Sequence, residues 1–378
     1  MKIKILQEKL QQAISQVEKI SGKDTTLPIL SNVLLKAEKN SLTLIASNLE
    51  TGISWKMLSK VEEDGSAAVP AQMFSGLINS LPGGTVDIQT KDNSIFILND
   101  RRKSNLNSLP ADEFPVLPVN TDSDFLTVRA DLFCQAISCV AGFAGSSSIK
   151  PEITGVYVSF LGDVIKVVAT DSFRLGEKII QVSRNGKQFD NNSVIVPVKA
   201  AREIVSVFGD KQKNIKIYIT NNQITLDLTD EGDADSPKIQ FTTRLIEGDF
   251  PDYQTIIPVS YSANAVFSKK EMLSQLKPAG IFSGKNNEIN IKVSPQKLIM
   301  GIYSQTTDMG AYESELKLKN ASGKDISIVF NNRFLADGLS VIKEDDCVFD
   351  FSGEDSPSVL KSTKDSDFIY ILMPIKKY

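Results

Sequence analysis

Apolar and polar positions follow one pattern that recurs along the chain. Near the N-terminus, alternating apolar residues predict a short strand, and apolar residues at helical spacing predict an amphipathic helix after it. The apolar positions of this first copy are Ile3, Ile5, Leu10, Ile14 and Val17. The same order begins again at 126–140 and at 265–276, and the tetrapeptide at 12–15, Gln-Ala-Ile-Ser, recurs at 135–138. The pattern predicts three copies of one folding unit rather than three unrelated domains.

Each copy continues with two alternating strands around a polar turn, at 32–46, 155–169 and 288–302, which is typical of a β-hairpin. A second amphipathic helix follows, preceded by proline in two copies, and a further hairpin closes each copy. Proline clusters at 114–118 and 250–258 mark the joins. We therefore predict an α+β fold with three domains, 1–120, 121–256 and 257–378, each with two helices packed on largely antiparallel sheets.

Composition excludes several kinds of chemistry. The chain has 378 residues, 42 Lys and Arg, 46 Asp and Glu, and a formal net charge of −4. It has no histidine, which excludes imidazole bases and imidazole metal ligands, and three scattered cysteines fit neither a zinc site nor a disulfide framework. We expect no signal peptide, because charged residues rather than a long apolar run follow the first six residues, and no apolar run is long enough to span a membrane. We expect a cytoplasmic protein with no metal, no cofactor and no catalytic residue.

Two segments suggest binding instead of catalysis. The first, Ala169–Gly176, places Thr, Asp and Arg beside Phe173 and Leu175 at the end of a strand. The second is the tail that starts at Met373, where Pro374 stops the sheet ladder. Apolar side chains around a few polar donors suit a peptide groove, and a buried turn with a self-packed tail is the alternative interpretation. An acidic run at 230–235 does not match a calcium-binding loop and is typical of a solvated turn.

The polar faces of the predicted helices carry Gln, Lys and Arg, including Gln12, Gln72, Lys199 and Arg202. Repeated in three domains, such faces could give one surface a mild positive potential inside an acidic protein. This arrangement suits loose contact with phosphates that does not read sequence.

Four motifs resemble those of the bacterial DNA polymerase III beta subunit family, the sliding clamps. They are Thr26-Leu-Pro-Ile-Leu-Ser-Asn32, Ala169-Thr-Asp-Ser-Phe-Arg-Leu175, Glu247-Gly-Asp-Phe-Pro-Asp-Tyr253 and Tyr370-Ile-Leu-Met-Pro374. The resemblance extends over the full length. It implies three clamp-type domains, a head-to-tail homodimer that closes a six-domain ring around double-stranded DNA, and contact without sequence specificity. Such a ring needs no strong bond to DNA, because topology holds it in place.

The resemblance also implies a cleft for short motifs of the polymerase alpha subunit, the clamp loader, and other polymerases and repair proteins. Its residues would be Ile153, Thr170, Ser172, Phe173, Arg174, Leu175, Pro251, Ile256, Ser358, Met373, Pro374 and Ile375. Leu175, Ile256 and Met373 would form its apolar floor. The chain departs from the family at Ser172 and Phe173, where Gly-His is frequent, and at Thr255, where Arg is frequent.

For DNA contact the resemblance implies Lys23, Gln72, Ser147, Lys150, Lys199 and Arg202. Asp24, Gln72 and Val198 stand where arginine is common in the family, which predicts weaker contact with DNA than in an arginine-rich clamp. The leading hypothesis is a non-catalytic sliding clamp that confers processivity on the replicative polymerase. A clamp-like paralogue that binds partners without loading on DNA, and a hydrolase with a carboxylate-only site, are the alternatives.

Overall fold

The computed structural model describes residues 1–22, 27–117, 124–147, 149–182, 192–229, 237–308 and 310–376. Lys23, Asp24 and the acidic run at 230–235 lie outside these ranges. The helices of the described part are α1 Gln7–Val17, α2 Ala71–Ser80, α3 Ala130–Val140, α4 Val198–Phe208, α5 Lys269–Ala279 and α6 Asn332–Val341.

The described strands fall into three consecutive groups. The first is β1 Lys2–Leu6, β2 Asn32–Glu38, β3 Ser41–Ser47, β4 Thr51–Leu58, β5 Lys60–Glu63, β6 Gly65–Pro70, β7 Thr85–Lys91, β8 Ser94–Asn99 and β9 Arg102–Asn107. The second is β10 Phe125–Arg129, β11 Gly155–Leu161, β12 Val164–Thr170, β13 Arg174–Gln181, β14 Asn192–Pro197, β15 Asn214–Ile219, β16 Gln223–Leu228 and β17 Ile239–Arg244. The third is β18 Ala263–Ser268, β19 Glu288–Ser294, β20 Ile299–Thr306, β21 Gly310–Lys317, β22 Asn320–Gly323, β23 Ile326–Asn331, β24 Asp346–Phe351, β25 Ser358–Ser362 and β26 Phe368–Leu372.

The element order confirms the repeat and refines it. A strand, a helix and three further strands follow one another six times along the chain, so each of the three clamp domains contains two such modules. The sequence pattern predicts two strands after each helix and, after the last helix, also the strand that Pro374 ends. The third strands, β4, β9, β13, β17, β21 and β26, are shown by the structure, and pairing among them joins the domains.

The first compact unit comprises residues 1–135, 182–190 and 199–246. Its described strands form a five-stranded sheet, ordered β5-β1-β7-β8-β9, and an eight-stranded sheet, ordered β10-β15-β16-β17-β4-β3-β2-β6. The eight-stranded sheet is continuous because β4 pairs antiparallel with β17, with Trp55 opposite Ile239. Among the strands that the structure describes, β9 pairs only with β8 and therefore lies at an open sheet edge in this unit.

The second unit comprises residues 136–181, 191–198 and 247–378. It contains a nine-stranded sheet, ordered β14-β11-β12-β13-β26-β25-β24-β18-β22, and a four-stranded sheet, ordered β21-β20-β19-β23. Here β13 pairs antiparallel with β26, with Leu175 opposite Ile371. Within the described part of the chain, β21 pairs only with β20 and forms an open edge of the four-stranded sheet.

The helices bury their apolar stripes against these sheets, as the 3.6-residue period predicts. In α1, Leu10, Ile14 and Val17 are fully buried, and the helix contacts strands of both sheets of its unit. At the start of α5 the Ser268 hydroxyl accepts a hydrogen bond from the backbone N–H of Glu271 and so caps the helix. Polar residues such as Gln12, Gln72 and Arg202 lie on exposed helix faces, whereas Gln7, Ser75 and Asn332 are buried.

One buried carboxyl in the eight-stranded sheet should make stability depend on pH. Asp227 in β16 is 5% exposed and lies opposite Lys216 of β15 and Gln240 of β17. Burial raises the pKa of Asp227 from 3.8 to about 6, although the hydrogen bond with Gln240 and the charge of Lys216 oppose the shift. Since the folded state holds the proton more tightly than the unfolded state, this group lowers the free energy of unfolding as pH rises through about 6.

The variant Asp227→Asn should therefore gain stability over the parent by roughly 2–3 kcal/mol at about pH 8, and by little near about pH 4. Urea unfolding at the two pH values measures the difference. Asp92→Asn, at an exposed turn position, is the matched control and should show no such change with pH. An equal effect of Asp227→Asn at both pH values would contradict the assignment.

Candidate functional site

The turn between β12 and β13 is held by its own side chains. The Thr170 hydroxyl donates to the carbonyl of Arg174 at 2.7 Å and accepts from the N–H of Ser172 at 3.1 Å. The Asp171 carboxylate accepts from the N–H groups of Phe173 and Arg174 at 2.9 and 3.0 Å. Ser172 has φ 76°, a backbone conformation that glycine adopts more readily than other residues. The turn thus fixes Phe173, which is 63% exposed, at its tip.

Arg174 connects this turn to helix α6. Its Nε donates to Asp171 Oδ2 at 2.9 Å and its Nη1 donates to Asp337 Oδ2 at 2.6 Å. The guanidinium lies 4.3 Å from the ring centroid of Phe334 and 5.4 Å from that of Phe143. Burial opposes the charge of Arg174, yet the hydrogen bonds with Asp337 and Asp171 outweigh it, so its pKa is raised. Arg174 therefore holds the turn in place from beneath and keeps little of its surface for a ligand.

The C-terminal tail runs along the same turn. After β26, the N–H of Met373 donates to the carbonyl of Phe173 at 2.9 Å, which extends the β13–β26 ladder by one bond. Pro374 has no N–H and ends the ladder. The next residue, Ile375, donates its N–H to the carbonyl of Val329 at 2.8 Å. Met373, Pro374 and Ile375 are each half-buried, so part of each apolar side chain is available beside Phe173.

Several predicted cleft residues lie beneath the surface. Leu175 is 1% exposed and packs with Val168, Tyr253, Val359 and Ile371 in a hydrophobic cluster. Thr170, Ile153 and Ser358 are buried as well. The backbone N–H of Gly145 links two of these residues, because it donates to the carbonyl of Ile153 at 2.8 Å and to that of Thr170 at 3.1 Å. These residues support the site from below, and Leu175 contributes to the core beneath the turn.

The segment at 250–257 is attached to the same cluster. Tyr253 donates a hydrogen bond of 2.5 Å to the buried Glu177 carboxylate, and Phe250 stacks on Tyr157 with ring centroids 4.7 Å apart. These anchors leave Pro251 exposed and Ile256 40% exposed. The exposed apolar surface of the site therefore comes from Phe173, Ile256 and the tail residues that begin at Met373.

The residues that hold Arg174 were missed by sequence reasoning. Asp171 stands three residues before Arg174, and this spacing is a signal that could have been read. Asp337, Phe143 and Phe334 are remote in sequence, so no local pattern connects them with Arg174. The Tyr370 hydroxyl donates to the carbonyl of Phe334 at 2.8 Å and so holds helix α6, which also carries Asp337.

The turn has a counterpart in the other unit, between β3 and β4. There the Ser47 hydroxyl donates to the carbonyl of Thr51 at 3.3 Å, and the Asn48 side chain accepts from the N–H groups of Glu50 and Thr51. The N–H of Arg244 donates to the carbonyl of Glu50 at 2.8 Å, as that of Met373 does to Phe173. Backbone geometry is thus repeated, while the side chains presented by the two turns differ.

The residues predicted to contact DNA lie at exposed or half-buried positions, apart from Lys23, which is outside the described residues. In the first unit, Gln72 on α2 and Lys199 and Arg202 on α4 are exposed. Helix α1 contacts α2 and is linked to α4, because the Ser206 hydroxyl donates to Gln16 Oε1 at 2.8 Å. The three residues therefore belong to one helical layer of this unit.

In the second unit, Ser147 and Lys150 lie on the loop after α3. The hydroxyl of Ser147 accepts from the backbone N–H groups of Ile149 and Lys150 at 3.2 and 3.4 Å. This turn leaves the Lys150 side chain exposed.

Other kinds of site are not found in the part of the chain that the structure describes. Within it, no cluster of three or more potential metal-ligating side chains occurs. None of its helices is both long and apolar enough to span a membrane. Cys134 and Cys347 are buried free thiols, and burial raises the pKa of both to about 12.

Comparison with known proteins extends over almost the whole chain. Models of the DNA polymerase III beta subunit match in order: the N-terminal domain at 1–118, the central domain at 127–252 and the C-terminal domain at 254–376. The beta sliding clamp of Staphylococcus epidermidis is 25% identical over 363 residues, 94% of this chain and 93% of that protein. The beta sliding clamp of Streptococcus pneumoniae is 26% identical over 376 residues, 97% of this chain and 96% of that protein.

Solved structures agree with this assignment at the level of the fold. A DNA polymerase sliding clamp from Bacillus subtilis has a TM-score of 0.92 at 23% identity, with full coverage of both chains. A sliding clamp from Pseudomonas aeruginosa bound to griselimycin gives the same values. Three consecutive domain matches and the repeated fold lead to one conclusion: this chain belongs to the DNA polymerase III beta subunit family.

Proposed function

We propose that this protein is a DNA sliding clamp, a non-catalytic ring that encircles duplex DNA and confers processivity on the replicative polymerase. The observation that carries the proposal is the threefold repeat of one clamp domain, matched along the chain to the beta subunit family. We take the domains as 1–120, 121–256 and 257–378. A ring held on DNA by topology needs no catalytic group and no tight phosphate contact, since tight contacts would act as brakes on sliding. Such a protein would work in the cytoplasm, where the DNA is.

Strand pairing supports a head-to-tail homodimer. Of the six third strands, β4 pairs with β17 and β13 pairs with β26, which leaves β9 in one unit and β21 in the other with open edges. If the same pairing rule applies a third time, β9 of one protomer pairs with β21 of its partner. The edges have complementary charge, because β9 carries Arg102 and Lys103 whereas β21 carries Glu313 and Glu315. Two such junctions would close a ring of six domains.

An exposed apolar side chain next to β21 supports the same interface. Ile281 follows α5 and is 62% exposed, and its segment contacts β21. A large apolar side chain at an open sheet edge is a liability in a monomer, and a partner strand would cover it. We propose that Ile281 is buried in the dimer.

For DNA we propose loose contact through Lys23, Gln72, Ser147, Lys150, Lys199 and Arg202. Exposed Lys199 and Arg202 supply positive charge, while Gln72 and Ser147 supply neutral donors. Neutral donors neutralise no phosphate, so the salt dependence of binding should be shallow. A contact surface with few positive charges favours free sliding of the clamp over electrostatic retention at one place on the DNA.

For partners we propose short linear motifs of the polymerase alpha subunit, the clamp loader, and other polymerases and repair proteins, bound at the predicted cleft. Exposed Phe173 and Ile256 beside half-buried Met373 offer apolar contacts for a partner's Leu or Phe. The clamp of Pseudomonas aeruginosa was solved bound to griselimycin, and we propose that griselimycin binds this chain as well.

Retention on DNA circles tests the proposal. After loading by the organism's clamp loader, the protein should stay on a nicked circular plasmid through gel filtration and be released when the plasmid is linearised. Release on linearisation is specific to topological linkage, because binding by charge would survive it. A protein that binds partner peptides but never stays on the circle would instead be the clamp-like paralogue that does not load.

A further inference from the structure

Helix α6 is connected to the turn of the predicted cleft through a residue that lies outside the cleft. Asp337 Oδ2 accepts a hydrogen bond of 2.6 Å from Arg174 Nη1, and the two residues are 163 positions apart in the chain. The Arg174 side chain is 11% exposed, whereas that of Asp337 is 55% exposed. The ion pair therefore links a largely buried guanidinium beneath the turn to a carboxylate at the surface of α6.

The guanidinium of Arg174 is held by further contacts. Its Nε donates to Asp171 Oδ2 at 2.9 Å, and its Nη2 donates to the carbonyl of Gly142 at 3.4 Å. The ring centroids of Phe143 and Phe334 both lie within 5.4 Å of the guanidinium carbon. A planar guanidinium with several fixed donors cannot move without breaking more than one of these contacts.

Asp171 connects the guanidinium to the tip of the turn. Its Oδ2 accepts from Arg174, and its Oδ1 accepts from the backbone N–H groups of Phe173 and Arg174. Ser172 has φ 76°, and a residue other than glycine keeps such a conformation only where the surrounding contacts impose it. We call Asp171, Arg174 and Asp337 the Arg174 cluster. Its contacts begin at Asp337 on α6 and end at Phe173, the exposed apolar tip of the predicted cleft.

The counterpart turn at 47–51 shows that such a cluster is not needed for folding. It repeats the backbone geometry, including a positive φ of 70° at Leu49, the position that Ser172 has in the other turn. Thr51 takes the place of Arg174, so that turn forms without a guanidinium at this position. A turn of this kind should therefore survive the loss of the ion pair, and what Arg174 adds is the position of the tip.

We propose that Asp337 is a positioning residue for partner binding, because through Arg174 it holds Phe173 where the apolar side chain of a partner packs. The inference rests on the proposed cleft and adds to it a residue that touches no ligand. It also makes partner affinity depend on helix α6, which supplies no residue of the predicted cleft itself.

The variant Asp337→Asn keeps the shape of the side chain and removes the charge that pairs with Arg174. A labelled peptide from the organism's polymerase alpha subunit, measured by fluorescence anisotropy, should bind this variant roughly three- to tenfold more weakly than the parent. Asp337→Glu keeps the carboxylate and should bind within about twofold of the parent. Asp325→Asn, at an exposed position after the edge strand β22, is the control with the same change of charge. Parent affinity in Asp337→Asn would overturn the proposal.

A double-mutant cycle separates positioning of the tip from a general effect on the fold. In a Phe173→Ser background, Asp337→Asn should cause no further loss of peptide affinity, because the side chain that Asp337 positions is absent. An equal loss of affinity in both backgrounds would show that Asp337 acts by another route, and the proposal would then be wrong.

A measurement without peptide keeps this inference apart from the proposed cleft. Incorporation of 4-fluorophenylalanine at position 173 gives one fluorine NMR signal that reports on the tip of the turn. The signal should shift or broaden in Asp337→Asn and should stay at the parent's position in Asp337→Glu and Asp325→Asn. An unchanged signal in Asp337→Asn would overturn the inference even if the peptide binds. If the parent binds no peptide, the proposed cleft is wrong, and the fluorine signal alone then decides whether Asp337 positions Phe173.

Discussion

Reversing two charges on β21, Glu313→Lys with Glu315→Lys, is expected to separate the dimer into monomers. Glu313 and Glu315 share the exposed face of β21, whereas the neighbouring Arg102 and Lys103 point to opposite faces of β9. The proposed junction therefore brings the carboxylates beside Lys103 of β9 in the second protomer, where opposite charges across paired strands are favourable. Each cross-strand pair contributes about 0.2–1 kcal/mol, and reversal replaces attraction with repulsion. With one such pair at each of the two junctions of the ring, the reversal should weaken dimerisation by roughly 4- to 1,000-fold.

Light scattering after size exclusion measures the outcome. The parent should have twice the mass of one 41.5 kDa chain, and the variant should approach the mass of one chain. Restoring opposite signs with Arg102→Glu and Lys103→Glu in the same chain should recover the dimer. That recovery distinguishes a specific β9–β21 junction from simple damage to β21.

A control with the same change of net charge is Glu354→Lys with Asp355→Lys, two exposed acids on a loop remote from β21 in sequence. It should leave the mass unchanged. If the β21 variant remains a dimer with the parent's dissociation constant, the proposed pairing of the open edges is wrong. A monomer cannot form a closed ring, so the charge-reversed variant should also fail to stay on circular DNA.

Removal of the tail from Met373 onward is expected to abolish binding at the predicted cleft while the dimer persists. The deletion takes away the half-buried side chains of Met373 and Ile375 and the hydrogen bond from Met373 N–H to the carbonyl of Phe173. Burying an apolar side chain of this size contributes about 1.5–3 kcal/mol, so loss of two contacts should weaken binding roughly a hundredfold or more.

Fluorescence anisotropy with a labelled peptide from the organism's polymerase alpha subunit, one that carries Leu and Phe, measures this loss. A deletion of residues 377–378 alone is the control and should keep the parent's affinity. Intact affinity in the longer deletion would show that the peptide binds elsewhere. Light scattering on the same sample separates a lost cleft from a lost dimer.

The two turns with shared backbone geometry show how far local sequence reaches. At 170–174 and at 47–51, a hydroxyl residue followed by Asp or Asn folds the same turn, because such side chains satisfy the backbone N–H groups two and three residues later. That much can be read from the residues. The residue at the tip of each turn, Phe173 in one and Glu50 in the other, can also be read directly from the sequence. Only the apolar tip suits an apolar partner motif.

The cleft residues illustrate what the sequence could not assign. The resemblance places Leu175 in the apolar floor of the predicted cleft. Alternation along β13 does not show which face of the sheet other residues cover. In the structure the cluster of Val168, Tyr253 and Ile371 covers Leu175, so the exposed apolar surface comes from Phe173 and Ile256. Burial depends on which strands pair and what packs on them, and those partners are far away in the chain.

By itself the sequence determined the repeat, the helices with their buried faces and caps, the lack of imidazole chemistry and the family. These properties follow from residue identity and from periods of two and 3.6 residues, which are local. Only the tertiary structure decided the pairing of β4 with β17 and of β13 with β26, and the ion pair of Arg174 with Asp337. Each of these joins residues distant in sequence, and such contacts are chosen by the packing of the whole chain rather than by any local preference.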